Sequence, residues 1–317
     1  MDQGFFIAPG SEFCPTPSTS TTTEDALDVQ SVLRQFPALH YGLAAFNNAA
    51  GTAVYQGAID NTHKYMSAFP VELGLDDPQS QEETKRVMNK VSELAAFMNA
   101  DADEIASGQS TTMILRTLGQ APKPSLNSDC EMIVSSLCHE GSAGAWRALA
   151  ADLGIAIKWW MPLTGDDPCL SLETLKSLLT PKTRIVCNHV SNVVGTIHPI
   201  EQIADAVHAI PGAILIVDDV AWAPHCPIDV KALDVDSYCL SWYKVFGPHM
   251  AQLYGRRSVQ QRMVTHIAHF FLGGWPRLDW RLRLGSNAFE LEEALIPITR
   301  YLTEISWDKI IAQETVL

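Results

Sequence analysis

A chain of 317 residues, 47% of them hydrophobic, is long enough to bury one large core and to begin a second, smaller unit. Its formal net charge of −14 argues against nucleic-acid and anionic-membrane partners, since either would need a basic patch. No apolar run approaches the roughly 20 residues that span a bilayer. The start, Met1 to Phe6, also lacks the basic region of a secretory signal, so the expected compartment is the cytosol.

Residues 1–35 are expected to form a flexible N-terminal segment, because Pro15 to Glu24 is rich in Pro, Ser and Thr; regular structure is expected from about Val29. Apolar residues spaced three and four apart predict a helix from Glu83 to Met98. From about residue 130 a βαβ rhythm sets in. Strand-like Met132 to Ser135, Ile155 to Trp159, Arg184 to Asn188, Ala213 to Val217 and Tyr238 to Leu240 alternate with helical stretches at Ala143 to Leu153, Leu172 to Leu179 and Ile200 to Ala209. Such alternation predicts a mainly parallel α/β sheet with ligands beyond the carboxyl ends of its strands. Phe289 through Leu317 reads as helix, with no capping signal at the end. The seven cysteines are scattered and never form a C-x-x-C pair, so no zinc site, no other metal site and no disulfide framework is expected. Cys187 and Cys239 fall in strand-like sequence, where cysteine acts as a small hydrophobe.

Neither GxGxxG after a strand nor GxxxxGK[ST] occurs, which argues against dinucleotide and P-loop nucleotide binding. The chemistry concentrates elsewhere. Lys244, in Ser241-Trp242-Tyr243-Lys244-Val245-Phe246-Gly247-Pro248, follows the apolar strand that ends in Asp218 by one strand. An amine among Trp, Tyr, Val and Phe is partly desolvated, which lowers its pKa and frees it to form an imine with an aldehyde. Pyridoxal 5'-phosphate (PLP) is the aldehyde that suits a lysine with a carboxylate nearby, because Asp218 would keep its pyridine nitrogen protonated. Ser107-Gly108-Gln109-Ser110-Thr111-Thr112, ahead of an apolar helical run, offers hydroxyls and free N–H groups to a phosphate, or is an ordinary helix cap. His139 is either a residue that stacks on a flat ring or a polar loop residue. Asn192 offers an amide to a phenolic oxygen or marks a turn, and the hydroxyls of Ser241 and Tyr243 are further phosphate candidates. Asp219 reads equally well as solvated or selective.

In order and spacing these segments resemble the class V aminotransferase, or cysteine desulfurase-like, branch of fold-type I PLP enzymes, from about Phe36 to the end. The most specific stretch is His189-Val190-Ser191-Asn192-Val193-Val194-Gly195-Thr196-Ile197-His198-Pro199-Ile200, followed by Val217-Asp218, Ala223-Pro224-His225, Pro227 to Val230 and Ser241 to Pro248. The resemblance implies a PLP-binding large domain over 36–285, with a seven-stranded sheet sandwiched by helices. It also implies the start of an incomplete C-terminal α+β domain over 286–317. By position, Lys244 is the Schiff-base lysine, Asp218 the partner of the pyridine nitrogen and His139 the ring-stacking residue. Asn192 lies near the phenolic oxygen, and Gln109, Ser110, Thr111, Ser241 and Tyr243 form a phosphate cup. Ser286 would reach the phosphate of a neighbouring subunit, which implies a homodimer.

Three positions depart from the family pattern: Ala221 stands where Gln or His is frequent, Tyr243 replaces a common histidine and Asp219 replaces a small residue. They are expected to spare cofactor binding and alter proton transfer near the lysine. Family members continue for roughly another hundred residues, a domain-scale length, which carry the arginine for the substrate carboxylate and, in desulfurases, a persulfide cysteine; Arg283 is a substitute candidate for that arginine. The implied activity is action on a small L-amino acid at its α or β carbon. Cysteine desulfuration or related carbon–sulfur lysis comes first. Decarboxylative aldol chemistry of a fungal natural-product branch and a truncated non-catalytic paralogue are the alternatives.

Overall fold

The computed structural model describes residues 26–42, 44–68, 72–163, 168–188, 190–263 and 277–317; the Pro15 to Glu24 stretch and His189 lie outside the described residues. The helices are α1 (Val29–Leu33), α2 (Gln56–Met66), α3 (Pro78–Ala96), α4 (Thr111–Gln120), α5 (Glu140–Leu153), α6 (Leu172–Leu178), α7 (Ile200–His208), α8 (Arg257–Met263), α9 (Leu278–Leu282), α10 (Phe289–Glu292), α11 (Leu295–Ile305) and α12 (Trp307–Val316). The strands are β1 (Ile105–Gly108), β2 (Glu131–Ser135), β3 (Ala156–Trp160), β4 (Thr183–Asn188), β5 (Leu215–Asp218), β6 (Ser237–Ser241) and β7 (Ala251–Gly255). Helix α1 lies inside the span expected to be flexible. The single helix expected after Phe289 is divided, with Ser306 in a left-handed conformation (φ 76°) between α11 and α12.

The strands make one sheet in the order β1-β7-β6-β5-β4-β2-β3. From β6 to β3 every pairing is parallel, whereas β7 runs antiparallel to both β6 and β1. The parallel run sits on the segments expected for it. Strands β1 and β7 did not show in the sequence: β1 is only four residues long, and β7 follows the lysine turn with no helix between.

Side chains alternate along each strand with period two, and the two faces bury separate sets. Leu215, Val217, Tyr238 and Leu240 join Leu94 of α3, Ile203 and Val207 of α7 and Leu295, Ile298 and Leu302 of α11. On the other face Met132, Val134, Ile216, Cys239 and Leu253 meet Ile114 and Leu115 of α4 and Trp146 and Leu149 of α5. Residues 286–317, expected to open a small domain, thus contribute to the same core as the sheet.

Local chemistry sets the helix ends. Asp77 caps α3 by accepting from Gln79 N (3.0 Å) and Ser80 N (2.9 Å), with Pro78 at the first helical position. Cys130, Cys138, Cys169, Cys226 and Cys239 are free thiols. Among the described residues no helix is long and apolar enough to cross a membrane.

Candidate active site

The candidate site lies where β5 and β6 end. Asp218 closes β5, opposite Cys239 in register, and alternation puts it on the α4/α5 face with Ile216 and Cys239. It is 6% exposed and accepts one hydrogen bond, from Val220 N at 3.2 Å. Burial pushes its carboxyl up to about 6; the Val220 N–H opposes the shift, the neighbouring Asp219 carboxylate adds to it, and Lys244 opposes it. Lys244 ends a short turn, Trp242–Lys244, directly after β6, and is 8% exposed. Burial holds its ammonium below the ordinary lysine range, with Asp218 opposing. The amine and the carboxylate expected from sequence therefore sense each other electrostatically, and the lysine is desolvated as its aromatic neighbours imply.

The turn around Lys244 is heavily restrained. Trp242 N donates to Met250 O at 2.8 Å, while Trp242 O accepts from Val245 N and Gly247 N, both at 2.8 Å. A Cβ on Gly247 would lie 2.9 Å from Ile298 Cδ1 and 3.0 Å from Trp242 O, so only glycine fits there. Phe246 is a non-glycine residue in the left-handed region (φ 61°), and its ring packs 5.3 Å from that of Phe36. Thr52 reaches the turn from far away in the chain. Its hydroxyl donates to Tyr243 O (3.1 Å) and accepts from Phe246 N (2.9 Å), and its own N–H also donates to Tyr243 O (2.9 Å). The Tyr243 ring stacks on His249 at 5.0 Å and lies 6.0 Å from Lys244 Nζ.

On the α4 side, Ser110 Oγ caps the helix by accepting from Met113 N (3.2 Å), so the cap reading of this segment is realised. Thr111 and Ser241 are both buried, their hydroxyls 2.6 Å apart, and Thr111 also donates to Leu240 O at 3.2 Å. This contact joins the helix start to the end of β6. Gln109 is exposed.

His139 caps α5: its Nδ1 accepts from Gly141 N at 3.0 Å, which leaves the ring proton on Nε2 in the neutral form. A Cβ on Gly141 would come within 2.4 Å of Thr112 Oγ1 and 3.0 Å of His139 Nδ1, so the first turns of α4 and α5 abut tightly. Cys239 is fully buried, and its thiol is pushed up by burial, then by Asp218 and Asp219, with Cys138 close enough to add.

Other expected residues sit at the rim. Asn192 is exposed in a turn organised by Ser191, whose hydroxyl accepts from Val193 N (3.3 Å) and Val194 N (3.4 Å). Ser286 is exposed between α9 and α10, beside Leu284, which is 66% exposed. Arg283 is bound otherwise: it pairs with Asp279 at 3.2 Å and stacks 4.5 Å from the Trp280 ring. That contact leaves it poorly placed as a carboxylate clamp. Asp219 is fully buried, which removes the solvated reading, and with burial its charge pushes the Tyr238 hydroxyl well above the usual tyrosine range. Thr52 and His249 carry no signal in their local sequence, because each matters only through contacts made in the fold.

A family model described as aminotransferase class-V matches residues 44–315. The chain is 72% identical over 284 residues to the nonribosomal peptide synthetase-like enzyme fsqF of Aspergillus fumigatus, a match that covers 89% of this chain and 19% of that protein. It is 52% identical over 314 residues to the cysteine desulfurase-like protein ustD of Aspergillus flavus, covering 97% of this chain and 71% of that protein. The chain thus spans about a fifth of the length of the first relative and about seven-tenths of the second. Among solved structures, the cysteine desulfurase CsdA of Escherichia coli superposes with a TM-score of 0.78 at 23% identity, over 88% of this chain and 73% of that one.

Proposed function

The chain belongs to the class-V aminotransferase family, a family of PLP-dependent enzymes, and on that premise we propose that it labilises a bond at the α or β carbon of a small L-amino acid, with Lys244 as the covalent anchor. The observation that carries this reading is the buried Asp218 beside the desolvated Lys244 at the ends of adjacent parallel strands.

The residues present fit PLP. Asp218 is held up to about 6 by burial, and a protonated ring nitrogen would supply the cation that lets it ionise. Thr111, Ser241 and the α4 N-terminus stand on the same side as Asp218, where N–H groups and the helix dipole favour a phosphate. When bound, the cofactor supplies an aldehyde for the amine and a ring that accepts the electron pair released at the substrate's α carbon.

The chain's own residues do the rest. Lys244 reaches its neutral, nucleophilic form more readily than an exposed lysine, and it can take and return a proton at the α carbon. Asp218 holds a proton at the ring nitrogen. His139, fixed by Gly141 N, presents its ring and an Nε2–H to a flat ligand. Thr111 and Ser241 must turn one hydroxyl from their mutual bond to reach a phosphate, and Ser110 keeps its own O–H free while capping α4.

Cysteine is the first substrate to test, by likeness to the cysteine desulfurase-like relative. A second reading, decarboxylative carbon–carbon bond formation between aspartate and an aldehyde in fungal natural-product assembly, is supported by the 72% identity to the nonribosomal peptide synthetase-like enzyme. A homodimer with Ser286 reaching the neighbouring site accords with the exposure of Leu284 and Ser286. The test is visible absorption with added PLP before and after borohydride, with the reduced adduct mapped by mass spectrometry. An adduct on Lys244 is expected and is to be followed by parallel assays with cysteine and with aspartate plus an aldehyde. An adduct on another lysine, or none from folded protein, refutes the assignment.

A further inference from the structure

We infer that Thr52 is a positioning residue for Lys244: its hydroxyl locks the turn that carries the lysine and couples that turn to the Asn47–Gly51 segment. The inference deepens the reading of Lys244 as the cofactor-bearing residue and rests on it. Lys244 sits between Tyr243, whose carbonyl receives two bonds from Thr52, and the Val245–Phe246 pair, whose second N–H is held by the Thr52 hydroxyl. Among the described residues, Thr52 is the one whose side chain bonds this turn on both sides of the lysine. A hydroxyl has one proton to donate and lone pairs to accept with, so donation to Tyr243 O and acceptance from Phe246 N together fix its orientation. Threonine's branched β carbon adds stiffness.

The turn needs such a lock. Phe246 holds a left-handed backbone that a large side chain rarely adopts, and a strained residue persists only where its surroundings over-determine it. Packing of Phe246 on Phe36 and the bond from Tyr55 N to Phe246 O (2.9 Å) contribute. Among the described residues, however, only the Thr52 hydroxyl reaches from a side chain to the backbone on both sides of the lysine. Without it Phe246 N–H loses its acceptor, the turn can relax, and Lys244 leaves its desolvated position.

The same residue ties in the preceding segment. Gly51 has φ 152°, and a Cβ there would lie 3.2 Å from the Tyr243 ring, so this backbone rests on the residue before the lysine. Asn47 and Asn48 are exposed next to it. Thr52 thus links this segment to the Lys244 turn over a separation of 191 residues.

The test compares wild type with Thr52→Val, which keeps the shape and removes the hydroxyl, and with Thr52→Ser, which keeps the hydroxyl. In the cofactor-free protein, competitive acetylation across pH gives the titration midpoint of Lys244 by mass spectrometry, with exposed Lys85 as the internal reference. For Thr52→Val the Lys244 midpoint is expected to rise toward the ordinary lysine range. Its rate of PLP capture is expected to fall on the order of tenfold, the equivalent of one lost hydrogen bond. Thr52→Ser should restore both. An unchanged midpoint and capture rate in Thr52→Val, or a change confined to melting temperature, overturns the inference; Thr52→Ala serves if the valine variant does not fold. Failure of wild type to form any Lys244 adduct refutes the proposed function separately, because the acetylation midpoint is read without cofactor.

Discussion

Replacing Asp218 by asparagine should make the cofactor-free protein more stable while destroying the enzyme. Burial moves the Asp218 carboxyl from an ordinary 3.8 to about 6. Because the folded pKa is the higher one, the folded state binds the proton more tightly. Stability therefore falls as pH rises through the interval between these values, and stays reduced above it. Two pH units at about 1.4 kcal/mol each amount to about 3 kcal/mol at neutral pH. Asparagine removes the charge and keeps an acceptor for Val220 N, yet its buried NH2 needs a partner at a cost of about 1 kcal/mol. The net expectation is a gain of about 2 kcal/mol, or several degrees in Tm. The assay is urea denaturation of both cofactor-free proteins at pH 7.5 and pH 4. The advantage should be present at the first and largely vanish at the second, where aspartate is protonated in the folded state and about two-fifths protonated in the unfolded one. Added PLP should stabilise wild type and do little for the variant, whose ring partner can no longer hold a proton. A variant no more stable than wild type at pH 7.5, or a difference independent of pH, would falsify this account of Asp218.

The His208 ring lies between two carboxylates, Asp234 at 2.9 Å from Nδ1 and Asp236 at 2.9 Å from Nε2. The Asp236 bond raises its pKa, burial opposes, and Asp234 adds to the rise. This stabilisation is complete below the ordinary histidine value and is lost as pH climbs through the raised folded value, so His208→Gln should flatten the decline in unfolding free energy between pH 6 and pH 9. An unaltered slope would show that the ring is not charged in the fold. Gly247→Ala drives a methyl into Ile298 and the Trp242 carbonyl, and should cost about 1–3 kcal/mol in denaturant titration while shifting the visible band of the PLP complex. A variant with wild-type stability and spectrum would contradict the close approach.

What the sequence disclosed and what it withheld divide along the range of the interaction. Strands β2 to β5 alternate with helices, and β2, β5 and β6 carry buried apolar residues, so local pattern sufficed to place them and, through them, the strand-end residues Asp218 and Lys244. Desolvation of Lys244 followed from its neighbours Trp242, Tyr243, Val245 and Phe246. The antiparallel strand β7 has no crossover helix to announce it, and β1 is held chiefly by pairing with β7. Ser110 and His139 showed two readings each, and in the fold each caps a helix, through Ser110 Oγ and His139 Nδ1.

The Lys244 turn is where local sequence and tertiary structure disagree most. Nothing in Val245-Phe246-Gly247 favours a left-handed phenylalanine, and the conformation stands because Phe36, Tyr55, Ile298 and Thr52 converge on it from distant parts of the chain. Conflict between local preference and imposed geometry is expected where a protein holds a reactive group in one place. A lysine on an unstrained strand end would sample solvent and recover its ordinary charge. Held by a turn that Phe36, Thr52, Tyr55 and Ile298 over-determine, it stays at the edge of the core beside Asp218, with its amine kept from full hydration. The long-range contacts that the sequence hides are therefore the ones that set the desolvated environment of Lys244.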